Sequence, residues 1–163
     1  MRRVGAWGSR LTFSVAIVLV CASLSAQTVL DQVLVRFGGE IVTQLDVRQA
    51  RMLKLVTVAT DTDQAYVDAL VNRRLILAEL RRMPPAEPAA EAVDLQRRQW
   101  ERAVGAGGTL TEVLERAGMT EAGLRGWLRD DVRIQTYVDE RFGGRANEVA
   151  SWLAALRQRA AIR

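Results

Sequence analysis

Glycines and prolines cut this chain into short pieces, and the apolar residues between the cuts recur at helical spacing. Pro84-Pro85, the "GAGG" run from Gly105 to Gly108, Gly118 and Gly143-Gly144 are the cuts. In "DQAYVDALVNRRLILAELRRM", Val67, Leu70, Val71, Leu75, Leu77 and Ala78 form one stripe, while Ile76 and Leu80 fall on the far side. So wide an apolar surface predicts a central helix buried on two sides. Arg81 and Arg82 suit its C-terminus and the proline pair stops it. A helix from about Glu87 to Val104 carries Val93, Trp100 and Val104 on one side. "TLTEVLERAG" spaces Leu110, Val113, Leu114 and Ala117 at 0, 3, 4, 7, capped by Thr109 or Thr111. Thr120 caps a long helix to about Phe142, with Leu124, Trp127, Leu128, Val132, Gln135, Val138 and Phe142 along its stripe. Val149, Trp152, Leu153 and Leu156 repeat the spacing in a final helix.

One segment breaks the helical pattern. "VLVRFGGEIV", Val33 to Val42, reads as two short strands joined through Gly38-Gly39. Thr43 then caps "TQLDVRQARMLKLV", with Asp46 in its first turn. Its apolar members are Leu45, Val47, Met52, Leu53 and Val56, and "ATDTDQA" with Asp61 and Thr62 leads into the central helix. The fold class is therefore mostly α with a small β-sheet. A lone hairpin is marginal in water, so this one needs a covering layer.

The N-terminus follows secretory grammar. "MRRVGAWGSR" is a positive region, Leu11 to Leu24 is an apolar run, and "SLSAQT" supplies small residues for cleavage. The apolar run is short for a spanning helix, which takes roughly 20 residues. Cleavage is expected after Ala26, with Ser25 the competitor and an uncleaved anchor the alternative. Three of the 23 basic residues lie in this leader, which has no acid; 20 then face 19 acidic residues. The basic character belongs to the leader, and nucleic acid is not an expected partner. Cys21 is the one cysteine, inside the apolar run, and there is no histidine. A chain cut after Ala26 has neither thiol chemistry nor the commonest general base and metal ligand. No metal or cofactor is expected.

Few residues suggest catalysis. Asp130-Asp131 is an adjacent acidic pair on a helix, but such neighbours point about 100° apart and do not converge. Asp131 falls near the apolar stripe, and a salt bridge to an arginine accounts for it. "GAGG" lacks the lysine and strand-to-helix setting of a phosphate loop and reads as a linker. Arg73-Arg74, Arg81-Arg82 and Arg97-Arg98 are interleaved with acids and read as solvated faces, with anionic lipid as another contact.

Four stretches resemble the SurA-type periplasmic chaperones. "VLVRFGGEIVTQLDVRQA" looks like the opening hairpin and helix of their N-terminal domain, and "YVDALVNRRLILAEL" like its central helix. "GTLTEVLERAGMTEAGLRGWLRDDVRIQTYV" resembles the pair of helices that follows, and "EVASWLAALRQRAAIR" the final helix and C-terminal strand. The order of these loose motifs, with the leader, carries the likeness over nearly all of 29–163. It implies a helical domain over 27–142 and a helix and strand over 143–163 that dock back on it. "AAIR", Ala160 to Arg163, would pair with a strand within Val29–Val42. Family members usually carry parvulin-type isomerase domains between those parts. Such a domain takes roughly a hundred residues, and 21 follow Phe142.

The resemblance thus implies a holdase without isomerase activity, in the periplasm, for unfolded secreted clients bound for the outer membrane. A dedicated adaptor for one partner protein is the alternative, as a monomer or a swapped dimer. Client binding of this kind uses adaptable apolar surface. Trp100, Met83, Met119, Tyr137 and Trp152 are the candidate binding residues. Trp127, Trp152 and Phe142 lie on helical stripes and also read as core; Trp100 stands between the two readings.

Overall fold

Two glycines turn the chain back on itself. Gly38 and Gly39 both have positive φ, 50° and 84°, a conformation that glycine adopts without the Cβ clash. They join β1 (Val33–Phe37) to β2 (Glu40–Thr43) as an antiparallel hairpin, in a turn whose twist matches that of the strands. Phe37 lies opposite Glu40, Arg36 opposite Ile41 and Val35 opposite Val42, with an irregularity at Leu34 before Val33 meets Thr43. The computed structural model describes residues 31–105 and 107–161. The leader, its cleavage sites, Cys21, Ile162 and Arg163 lie outside them.

Thr43 ends β2 and starts α1 (Gln44–Met52). Its hydroxyl accepts from Asp46 N, and the Asp46 carboxylate accepts from Thr43 N at 2.8 Å, a reciprocal cap. The helix ends earlier than the apolar pattern predicts. Leu53 and Leu55 are both buried in the same cluster, and residues two apart cannot share one helix face. The chain leaves the helix there, with Lys54 at φ 47°, and so sends both leucines inward. Met52, freed by this break, is exposed.

The central helix α2 spans Asp63–Arg82, capped by the Thr62 hydroxyl. Tyr66, Val67, Leu70, Val71, Leu75, Ile76 and Leu80 are all buried, so both its sides are covered as the sequence predicts. Arg73 is buried too, which overturns its reading as part of a solvated face; Arg81 and Arg82 remain exposed. α3 (Ala90–Val104), α4 (Leu110–Ala117, capped by Thr109), α5 (Glu121–Phe142, capped by Thr120) and α6 (Ala146–Arg159) follow.

Two apolar clusters result. The first gathers Phe37 and Val42 of the hairpin, Val47 and Ala50 of α1, the Tyr66–Leu75 face of α2 and Leu156 of α6. The second gathers Leu53 and Leu55, Val93 and Trp100 of α3, Leu114 and Ala117 of α4, and Leu124 and Leu128 of α5. Trp127 packs against both. Arg74 ties hairpin to helices by donating to the Ile41 carbonyl and, at 2.8 Å, to the Asp46 carboxylate. Arg157 ties α6 to α2, donating to Asn72 Oδ1 and Asp68 Oδ1, each at 2.7 Å.

Of the expected C-terminal strand, Ala160 to Arg163, only the first two residues are among those described. α6 continues to Arg159, Ala160 caps it in helical conformation, and Ala161 turns with φ 45°. Ala160 and Ala161 line a cleft with Arg36 to Ile41 of the hairpin. Among the described residues the sheet has two strands.

Candidate functional site

The structure separates the five candidate binding residues. Trp100 is core. Its indole is 7% exposed, and Nε1 donates to the Leu53 carbonyl at 2.7 Å. Only the rim of a small cleft between α3 and α4, shared with Val104, Leu110 and Val113, touches it. Met119 is half-buried against the same second cluster. Met83 stands 64% exposed where α2 ends.

Tyr137 and Trp152 do come together. Their ring centroids lie 5.8 Å apart, and Phe142 lies 5.2 Å from Trp152 on its other contact. Offset, tilted rings of this kind suit the aromatic quadrupole. The Arg141 guanidinium sits 5.6–5.7 Å from all three rings and donates to the Tyr137 hydroxyl at 2.7 Å. This knot fastens α6 to the end of α5. Trp152 also packs on the first core. Both residues are half-buried and held by one another, with their apolar faces spent inside the molecule.

A different apolar surface is uncovered. β1 alternates, with Val33, Val35 and Phe37 turned to the core and Leu34 and Arg36 turned away. On β2 Ile41 turns away beside them. Leu34 is 37% and Ile41 38% exposed. β2 lies beside α2, so the outer edge of β1 is left without a strand among the described residues. An unpaired edge presents a row of backbone donors and acceptors. The alternation in "VLVRF" and "EIV" is the sequence signal that finds this face; a search for helical stripes and aromatic anchors misses it.

One more cluster is only half visible in the sequence. Asp131 of α5 pairs with Arg73 of α2, whose Nη2 also donates to the Trp127 carbonyl at 3.0 Å. The Arg73 guanidinium lies 3.9 Å from the centre of the Trp127 ring, a close cation–π contact. Burial pushes the Asp131 carboxyl up to about 6, against the pull of Arg73, and the neighbouring Asp130 pushes the same way. Burial likewise lowers Arg73 despite Asp131 and Asp130. Asp130 turns to Arg133, 3.4 Å away. The adjacent carboxylates serve different arginines and do not converge on one point. Among the described residues Trp127 Nε1 and Arg133 Nε are buried without a well-aligned hydrogen-bond partner, though the Trp127 N–H helps to hold the Asp131 carboxyl down. Among the described residues no group of histidine, cysteine or acidic side chains is placed to hold a metal, and no helix is long and apolar enough to cross a membrane.

Comparison with protein families, curated proteins and solved structures finds no match to this chain.

Proposed function

We propose that the chain is a holdase of the SurA type, which shields unfolded secreted proteins in the periplasm without chemistry of its own. The observation that carries this reading is the outer side of the hairpin. Leu34 and Ile41 are exposed beside an edge of β1 that has no strand partner among the described residues. An extended, apolar client segment can add to such an edge through its backbone, while its alternate side chains rest on the leucine and isoleucine. Backbone pairing is indifferent to sequence, which suits a binder of many unfolded chains. The hairpin is held for this role from behind, by the first core and by Arg74. The resemblance of the hairpin, central helix and paired helices to that family adds the client class: proteins bound for the outer membrane.

The test is light scattering of an unfolded outer-membrane protein diluted from urea, with and without a modest excess of this protein. Suppressed aggregation is expected. The double substitution Leu34→Thr with Ile41→Thr should weaken it several-fold, since threonine keeps strand propensity and removes apolar surface. No suppression by a folded, helical sample refutes the general holdase. It leaves an adaptor dedicated to one partner as the better account.

A further inference from the structure

The outer side of the hairpin is not uniformly apolar. Two residues past Leu34 the same face carries Arg36, exposed like Leu34 and lying opposite Ile41. β1 holds no acid. The acids on its flanks are already engaged. Glu40 pairs with Arg81 and Asp46 with Arg74, while the Asp31 carboxylate accepts from Leu45 N at 2.9 Å. Arg36 has no ion pair among the described residues. With Ile41 and the Gly38-Gly39 turn it borders an open cleft of about 380 Å³, so its side chain has room to turn. An apolar contact and an unanswered cation thus stand on one face of an edge strand, roughly 7 Å apart.

We propose that the β1 edge selects extended segments in which an apolar and an acidic residue stand two positions apart, the first resting on Leu34 and the second pairing with Arg36. The proposal rests on the reading of β1 as the client edge and names the segments that edge prefers. A strand added to β1 repeats its pleat, so alternate side chains of the client face one side at the same spacing. Where one of them lies beside Leu34, the next on that face lies beside Arg36. An apolar side chain at the first place extends the patch of Leu34 and Ile41. A carboxylate at the second meets a planar guanidinium that can hold both its oxygens, whereas a lysine there meets a like charge. A second copy of the chain is a poorer occupant, because its own β1 brings no acid to answer Arg36. The pair stays near water, so it grades clients without excluding those that lack it.

Fluorescence anisotropy of the whole protein tests this with labelled peptides built on Val-Thr-Glu-Thr-Val, and on the same sequence with glutamine or lysine in place of glutamate. The spacing reads alike in both directions, so either strand orientation presents it. The glutamate peptide should bind about threefold tighter than the glutamine peptide, and the lysine peptide about threefold weaker, the size of an exposed ion pair. Salt at about 0.5 M should erase most of the difference. Arg36→Gln should level the three peptides, and Arg36→Glu should invert their order. Leu34→Thr should weaken all three and keep the order. Equal binding of the three by the wild type overturns the preference and leaves the client edge standing. An order that persists in Arg36→Glu overturns it too; if that variant does not fold, Arg36→Gln decides. Binding of none overturns it, and suppression of aggregation then still tells whether the holdase reading survives. Self-association that competes with the peptides, seen by sedimentation, assigns the edge to a second copy and overturns it. So does peptide binding that appears only after residues 162 and 163 are removed, which assigns the edge to the chain's own tail.

Discussion

Two tryptophans in this protein differ in one atom's surroundings, and that difference sets a sharp expectation. Trp100 Nε1 donates to the Leu53 carbonyl inside the second core, where Leu53 has no exposed surface. Trp127 Nε1 is buried and makes no well-aligned hydrogen bond among the described residues, though it turns toward the Asp131 carboxylate. Replacing each by phenylalanine removes an indole N–H and part of a ring. At Trp100 the change strands a buried carbonyl, which costs about 1–3 kcal/mol, and leaves a small void besides. The total should be about 2–3 kcal/mol. At Trp127 the change removes a donor with no more than a weak partner in Asp131, which returns part of that amount. Against this stand the lost ring volume and a weaker cation–π contact with Arg73, worth about 0.5–2 kcal/mol. Trp127→Phe should therefore lie within about 1 kcal/mol of the wild type. Urea unfolding followed by far-ultraviolet circular dichroism measures both without relying on tryptophan emission. If Trp127→Phe costs as much as Trp100→Phe, ring volume governs both sites and the reasoning from hydrogen bonds is refuted. A loss below about 1 kcal/mol at Trp100 would refute it from the other side.

Thr109→Ala should lower stability by about 1 kcal/mol, since it breaks the reciprocal cap between Thr109 and Glu112 at the start of α4; Thr109→Ser should restore it, both read from urea unfolding. Arg157→Met should loosen α6, seen as faster proteolysis within Ala146–Arg159, because the bonds to Asn72 and Asp68 are lost. The same substitution changes the acid response. Asp68 is raised by burial but brought below its ordinary value overall by Arg157 and Gln64. Its contribution is present above the usual carboxylate range and is lost as pH falls through its lowered value. Stability of Arg157→Met should thus fall less steeply than that of the wild type below about pH 4, in thermal melts across that range.

Local signals are legible wherever local chemistry decides the outcome. Thr43, Thr62, Thr109 and Thr120 all cap the helices that follow them, as hydroxyls ahead of apolar periodicity should. The burial of Ile76 and Leu80 follows from the width of the α2 stripe. What escapes is decided at a distance. Trp100 lies on a helix with few other apolar residues, and nothing nearby says that Leu53 and Leu55 will close over it. The early end of α1 has the same cause, since the break serves a cluster built mainly from α3, α4 and α5. In the sequence Arg73 belongs to one of three similar arginine pairs; its burial depends on Trp127 and Asp131, more than fifty residues away in the chain. The candidate surface is hidden for a simpler reason. An alternating strand has two sides, and a search of Val33–Val42 for core residues finds the inner one.

The two cores also differ in when they can close. The second is made from residues between Leu53 and Leu128, the first from residues between Phe37 and Leu156. A chain emerging from its N-terminus reveals every member of the second core while α6 is still to come. The hairpin, α1 and the inner face of α2 must wait for Leu156, and for Arg157 to reach Asp68 and Asn72. Through that interval the part of the fold that emerges first is the part whose apolar surface stays open. The rate at which α5 and α6 emerge then sets how long that surface is at risk of sticking to its neighbours, and the last helix acts as the closing step of assembly.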